Sequence, residues 1–294
     1  MIYDTLIVGQ VCLDTNADYD GSVSRGFGGA VLFSGHAAAA MGSRVAVLPK
    51  RNPATLDLEQ AFAGRENITV FPLDSSRSTL MENTYFTADR ERRACRCAES
   101  IDPYRPDELP GIGARVFHLA GLVRGDIGGD MIEACARRGA VALDVQCMLR
   151  ERRADGAMEF RDWAEKRAYL PLIRFLKTDA AEAEILTGLT DREKAARTLC
   201  GWGAREVMIT HNEQVLICDG EAVYAEPLKP RNLSGRTGRG DTCFAGYLAG
   251  RLLEDIPGAL LRAAALVSLK METPGPFRGS RADVEDYIAR FYRN

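Results

Sequence analysis

The sequence predicts an α/β fold: a mostly parallel central sheet flanked by helices, with a small β-stranded lid. Three observations carry that expectation. Apolar runs alternate with helical patterns along most of the chain, which is the order of βαβ units. Several of the runs are apolar throughout, as strands buried on both faces are. Two stretches of alternating polar and apolar residues interrupt the order without any helical period.

The first run, DTLIVGQVCL, reads as a strand that leads into Asp14. TNADYDGSVSRGFGG follows and reads as short antiparallel strands. SGHAAAAMG is then a helix and RVAVLP the next strand. SSRSTLMENTYFTADRERRACRCAES is the second interruption. Residues of roughly 14–30 and 74–100 are therefore expected to form the lid, over the sheet edge where open α/β folds bind ligands. A surface hairpin with no gating role would give the same pattern. RVFHLAGL, AVALDVQ, IRFLKTD and EVMITHN continue the strand series. GGDMIEACARRG, AAEAEILTG and REKAARTLCGWG are the helices between them, each running to a glycine, a favoured C-terminal cap. No repeat, low-complexity tract or Pro/Ser-rich linker divides the chain, so residues 1–294 are expected to form a single domain.

Composition narrows the partners. The chain is 46% hydrophobic and 27% charged, with a formal net charge of −3 and interleaved acidic and basic residues. That leaves no electrostatic footprint for nucleic acid or an anionic membrane and points to a small-molecule ligand. No apolar run approaches the ~20 residues of a membrane span. MIYDTLIVGQVCLD lacks the basic start of a signal peptide, so a cytoplasmic location is expected. The eight cysteines form no CxxC pair and read as buried small hydrophobes, the close pair Cys95 and Cys97 included. His36, His118 and His211 are the only histidines, too few at suitable spacing for a thiol or zinc site. There is no GxSxG elbow, no GxxxxGK[ST] loop and no GxGxxG after the first strand.

The segment SGRTGRGDTCFAGYLAG, Ser234 to Gly250, carries the chemistry. A helix start offers unpaired N–H groups and a positive dipole end, and glycines let the preceding backbone curl around an anion. Gly235, Gly238 and Gly240 supply that flexibility. Gly240 is the place where a side chain would crowd a phosphate or forbid a positive φ. Asp241 stands in or just before the first turn, where the dipole favours a carboxylate. A carboxylate beside an anion cradle suits phosphoryl transfer to a hydroxyl, because something must accept the proton while something else stabilises the moving group. Capping alone would explain Asp241 but not the glycines around it.

TGRGDTCFAGYLAG resembles the C-terminal signature of the ribokinase-like (PfkB) carbohydrate kinases, usually written TGAGD. The resemblance covers nearly the whole chain. It implies a substrate-contacting Asp14 after the first strand and a di-glycine, Gly28 and Gly29, before the first helix. It implies that Asp241 is the base, with Gly238, Arg239 and Gly240 around the phosphoryl oxygens. KTDAAEAEILTG resembles the family's NxxE stretch with Asp179 in place of asparagine, implying Asp179 and Glu182 as organisers of magnesium through water. The nucleotide end falls to Asp179, Thr210, Gly220, Gly238 and Gly240, and to the region around Lys270. ATP and Mg2+ are the implied cofactors, with a monovalent cation left open.

STLMENTY, ALDVQCMLR and SLKMETPGPF resemble the branch that includes inositol kinases and uncharacterised sugar kinases. Gln146 and Arg150 would then face the acceptor, alongside Glu82 and Asn83 in the lid. Phe33 stands where many sugar kinases of the family carry asparagine, which turns the expectation from ribose toward a hexose-like sugar or cyclic polyol. Dimerisation through exposed lid edges is an option the resemblance brings. A nucleoside kinase of the same fold and a non-catalytic sugar or nucleotide sensor are the alternatives. Asp241 beside its glycines favours an enzyme, because a sensor needs the pocket but not the base.

Overall fold

The computed structural model describes residues 2–87 and 92–293; positions 88–91 of the second expected lid segment lie outside the described residues. In chain order the strands are β1 (Ile2–Gly9), β2 (Cys12–Ala17), β3 (Val23–Gly28), β4 (Val45–Arg51), β5 (Ile68–Val70), β6 (Leu73–Asp74), β7 (Thr79–Tyr85), β8 (Arg93–Glu99), β9 (Gly113–Leu119), β10 (Ala140–Asp144), β11 (Arg150–Arg152), β12 (Met158–Phe160), β13 (Ile173–Asp179), β14 (Glu206–Thr210), β15 (Gln214–Cys218) and β16 (Val223–Pro227). The helices are α1 (Ala30–Ala40), α2 (Leu58–Phe62), α3 (Gly129–Ala136), α4 (Gln146–Leu149), α5 (Lys166–Tyr169), α6 (Ala180–Thr187), α7 (Arg192–Gly201), α8 (Arg239–Arg251), α9 (Ile256–Lys270) and α10 (Arg281–Phe291).

The central sheet runs β16-β15-β14-β13-β10-β9-β1-β4-β5, with β6 also on β4. From β14 to β5 every neighbouring pair is parallel, and only the β14–β15–β16 end is antiparallel. Its middle strands are buried on both faces, which is why they read as unbroken apolar runs: all of β14 is buried, as are Leu6, Ile7 and Val8 of β1. On one face Met131, Ile132, Ala183, Leu186 and Ala195 bring α3, α6 and α7 onto the sheet. On the other, Val31, Ala245, Leu266 and Val284 bring α1, α8, α9 and α10.

A second, four-stranded sheet, β3-β2-β7-β8, is the lid anticipated from the two interruptions. The run DTLIVGQVCL proves to be two strands, β1 in the central sheet and β2 in the second. The chain changes sheets at Gly9, whose backbone passes so close to β9's exit that an added Cβ would lie 2.2 Å from the Ala120 carbonyl oxygen. Gln10 and Val11 are both buried at that crossing, so the apolar run continues through the break.

The helix ends also differ in detail from the glycine rule. Only α6 closes directly on its glycine, Gly188 at φ 74°, whereas α1, α3 and α7 cap on Met41, Arg137 and Trp202 with Gly42, Gly139 and Gly203 following. All eight cysteines are free thiols; six are buried and Cys95 and Cys200 are half-buried. No helix among the described residues is long and apolar enough to cross a membrane.

Candidate active site

A cavity of about 330 Å³ opens where β1, β10, β13 and β14 end, between the second sheet and the start of α8. Asp14, Gly29, Gln146, Arg150, Asp179, Thr210, Gly238, Arg239, Gly240 and Asp241 all line it. Of the other residues singled out from the sequence, Gly28 and Glu182 stand just behind the wall. Gly220 lies away from it, in the turn between β15 and β16.

Asp241 sits in the first turn of α8 and is half-buried, facing the cavity. Burial, then the nearby Asp144 charge, pushes its carboxyl up to about 6, against the pull of Lys177, Arg150 and Lys270. The helix begins at Gly238, which holds a left-handed φ of 77°. An added Cβ there would meet the Phe33 ring at 2.2 Å. Gly240 is different: its φ is not positive, and an added Cβ would sit 3.1 Å from Lys177 Nζ. The two reasons for glycine anticipated at Gly240 are thus divided, the backbone demand falling on Gly238 and the crowding on Lys177. The Arg239 N–H donates to the Arg236 carbonyl at 3.3 Å, so its contribution to the cavity is its side chain, which donates to Asn212 Oδ1 at 2.5 Å.

The opposite wall is polar. Asp14, on β2, accepts from Cys12 Sγ at 2.9 Å; burial raises its pKa, while the Cys12 hydrogen bond and the Arg93 charge oppose that rise. Gly28 leaves room for this carboxylate, since a Cβ would fall 2.1 Å from Asp14 Oδ2. On β7 the period-2 pleat turns Met81, Asn83 and Tyr85 to the cavity. Glu82 points to the other face and pairs with Arg96 at 2.8 Å. Of the two lid residues named from the sequence, only Asn83 reaches the site. Gln146 opens α4 and donates through Nε2 to the Gly121 carbonyl at 3.3 Å. Arg150 ends that turn with a buried Nε that has no hydrogen-bond partner among the described residues. Burial works against its charge, but Glu182 leads the groups that outweigh this and raise its pKa.

Asp179 and Glu182 satisfy each other. Asp179 caps α6 by accepting from the Glu182 N–H at 2.8 Å, and Glu182 accepts from the Asp179 N–H at 2.9 Å. The reciprocal cap explains why an aspartate serves at 179. Burial, then Asp179, raises the Glu182 carboxyl to about 7. Among the described residues no group of three or more His, Cys, Asp or Glu side chains is arranged to hold a metal ion. Each of the two carboxylates keeps one oxygen outside the cap, and those oxygens are the ones that would hold the waters of a cation arriving with phosphate.

Sequence reasoning missed Lys177 and Asp144. They form a buried pair at 2.9 Å, and Lys177 also faces Gly240 and Asp241. The signal was a lysine in the core half of the strand IRFLKTD, whose partner lies 33 residues away. Arg236 and Tyr85 were missed too. Arg236 donates to Asn212 Oδ1 at 2.8 Å beside Arg239, and the Tyr85 hydroxyl stands 3.2 Å from Thr237 Oγ1, joining the second sheet to the turn before α8.

With this geometry in place, comparison with known proteins is informative. Residues 113–281 match the model of the pfkB family of carbohydrate kinases. A pyrophosphate-dependent kinase in the ribokinase family, solved with a pyrophosphate analogue and myo-inositol, superposes with a TM-score of 0.86 at 31% identity, covering 96% of this chain and 99% of that one. The Arabidopsis thaliana ribokinase bound to ribose and ATP shares the fold, with a TM-score of 0.77 at 14% identity over 98% of this chain and 99% of that one. A cytidine kinase of Thermococcus kodakarensis is 46% identical over 72 residues, 24% of this chain, and the match spans about a quarter (26%) of that kinase. The chain belongs to the pfkB family of carbohydrate kinases, phosphotransferases that act on a hydroxyl group.

Proposed function

We propose that this kinase transfers the terminal phosphoryl group of a polyphosphate donor to a ring hydroxyl of a cyclic polyol, with Asp241 as general base. The observation that supports this most is the meeting at α8: a carboxylate raised to about 6 shares one helical turn with the Gly238–Gly240 backbone and faces Asp14, Asn83, Gln146 and Arg150 across one cavity. The acceptor oxygen attacks the terminal phosphorus in line, Asp241 takes its proton, and the bond to the bridging oxygen breaks. First-turn N–H groups and the Lys177, Arg236 and Arg239 cations take up the charge on the phosphoryl oxygens and the departing group. A magnesium ion held through water by Asp179 and Glu182 would neutralise the donor phosphates.

Two donors are in play. Inorganic pyrophosphate is the first reading: the donor side of the cavity is bounded by Lys177, Arg236, Arg239 and Thr210, while its aromatic residues, Phe33 and Tyr85, lie against the glycine turn. Such a wall suits a compact anion better than a flat base, and the relative solved with myo-inositol is pyrophosphate-dependent. ATP is the second reading, supported by the TGRGD signature and the family match. Purified protein with magnesium should be offered each donor with myo-inositol, hexoses, ribose and cytidine, and phosphorylated acceptor measured directly. Transfer to myo-inositol above the others is expected. Cytidine or ribose as the best acceptor would overturn the polyol assignment and leave the kinase standing.

Two further results are expected. Because a general base works only when deprotonated, kcat/KM should rise with pH through about 6; a profile that stays flat across that value would remove Asp241 from the role. Arg150→Met deletes the unpartnered donor on the acceptor wall, so acceptor kcat/KM should fall by about tenfold or more while the donor KM is nearly unchanged. A shift in donor KM instead would place Arg150 at the other end of the cavity.

A further inference from the structure

Lys270 ends α9, is 1% exposed, and does not line the cavity. Its ammonium donates to the carbonyls of Gly235 and Thr237, in the turn that leads into α8. The Phe33 ring stands 5.1 Å from it and contributes a cation–π contact. The turn is seated on the same helix end: the Gly235 N–H donates to the Met271 carbonyl at 2.7 Å, and a Cβ on Gly235 would lie 1.8 Å from the Thr273 carbonyl oxygen.

The C=O and N–H of one planar peptide unit point in opposite directions. Drawing the 235 and 237 carbonyls inward onto one ammonium therefore turns the N–H groups of Arg236 and Gly238 outward. Both of those residues line the cavity. The ammonium also lies close enough to Asp241 for the two charges to stabilise each other.

We propose that Lys270 is a built-in monovalent cation: a positioning residue that locks the Gly235–Thr237 turn with its N–H groups toward the donor anion, so that transfer needs no dissolved alkali ion. The inference rests on the kinase reading above and deepens it. Burial pushes the free ammonium down to about 7, with the Asp241 carboxylate, the charged group facing it, pulling the other way. Arrival of a polyphosphate on the turn would stabilise the charged form further.

The test pairs Lys270→Met with salt exchange on the unaltered enzyme. Titration calorimetry with inorganic pyrophosphate should show binding weakened by about tenfold or more in Lys270→Met, with myo-inositol binding without donor changed by no more than about twofold. Turnover should fall by about 10²-fold, the scale of losing preorganised N–H donors. In Lys270→Ala, ammonium or potassium should restore part of the loss. The unaltered enzyme should turn over equally in sodium, potassium and tetramethylammonium chloride. Parallel loss of myo-inositol and pyrophosphate binding would reduce Lys270 to a general structural role and overturn the proposal, as would unchanged pyrophosphate binding. If Lys270→Met does not fold, salt exchange decides: a severalfold stimulation of the unaltered enzyme by potassium overturns the proposal, and equal rates support it. Failure of the unaltered enzyme to phosphorylate any acceptor would overturn the kinase reading, while the Lys270 claim would still stand or fall on the pyrophosphate titration.

Discussion

Asp241→Asn is expected to lower kcat by about 10²–10⁴-fold, the range of a lost general base, while the protein keeps its fold. Asparagine preserves the shape of the side chain and can still sit in the first turn of α8, so a loss of turnover cannot be traced to the helix start. It removes the proton affinity that burial and Asp144 raise to about 6. It also leaves Lys177 and Arg150 without one of the negative charges they face, which should hold donor binding level or strengthen it. The expected signature is therefore a fall in kcat with little change in donor KM. Retention of near-normal kcat on the best acceptor would show that Asp241 is only part of the helix start.

Gly238→Val is the second large effect. A β-branched residue must enter the left-handed region that Gly238 occupies at φ 77°, at a cost of roughly 1–2 kcal/mol. Its Cβ must also displace the Phe33 ring, 2.2 Å away, which packs beneath Lys270. Donor kcat/KM should fall by at least about 10²-fold, because the turn that presents N–H groups loses its shape. Gly240→Val should be milder: its backbone is not in the left-handed region, and its Cβ meets only the Lys177 side-chain end, 3.1 Å from Nζ. Steady-state kinetics of both variants, with thermal melts as the folding control, check the order. If Gly240→Val is the more damaging, the phosphate approaches closer to residue 240 than the turn geometry implies.

The central sheet was legible because β10 and β14 are buried almost throughout and β9 and β13 over most of their length, so the runs read as apolar, and helices α3, α6 and α7 alternate with them. The second sheet was legible in outline, since β7 keeps a strict alternation. The crossing from β1 to β2 was not, because Gln10 and Val11 are buried at the junction and the apolar run hides the change of sheet. Asp241 and its glycines are contiguous, so local chemistry exposed them. Lys177 and Asp144 become a pair only through the β10–β13 register, and no local pattern signals that. The sequence pointed to the region around Lys270 only as part of the nucleotide end, because its two carbonyl partners lie more than 30 positions upstream and no local pattern links them.

The crossing at Gly9 divides the cavity lining between the two sheets. Asp14, Asn83, Tyr85, Arg93 and Cys95 come from the second sheet, whereas Asp241, Lys177 and the glycine turn belong to the body beneath it. Gln146 and Arg150, proposed above to face the acceptor, belong to the body as well, so an acceptor held in this cavity would meet both parts of the fold. Exchanging β2–β3 and β7–β8 between related kinases is therefore expected to change acceptor choice only in part, because Gln146 and Arg150 stay behind in the body.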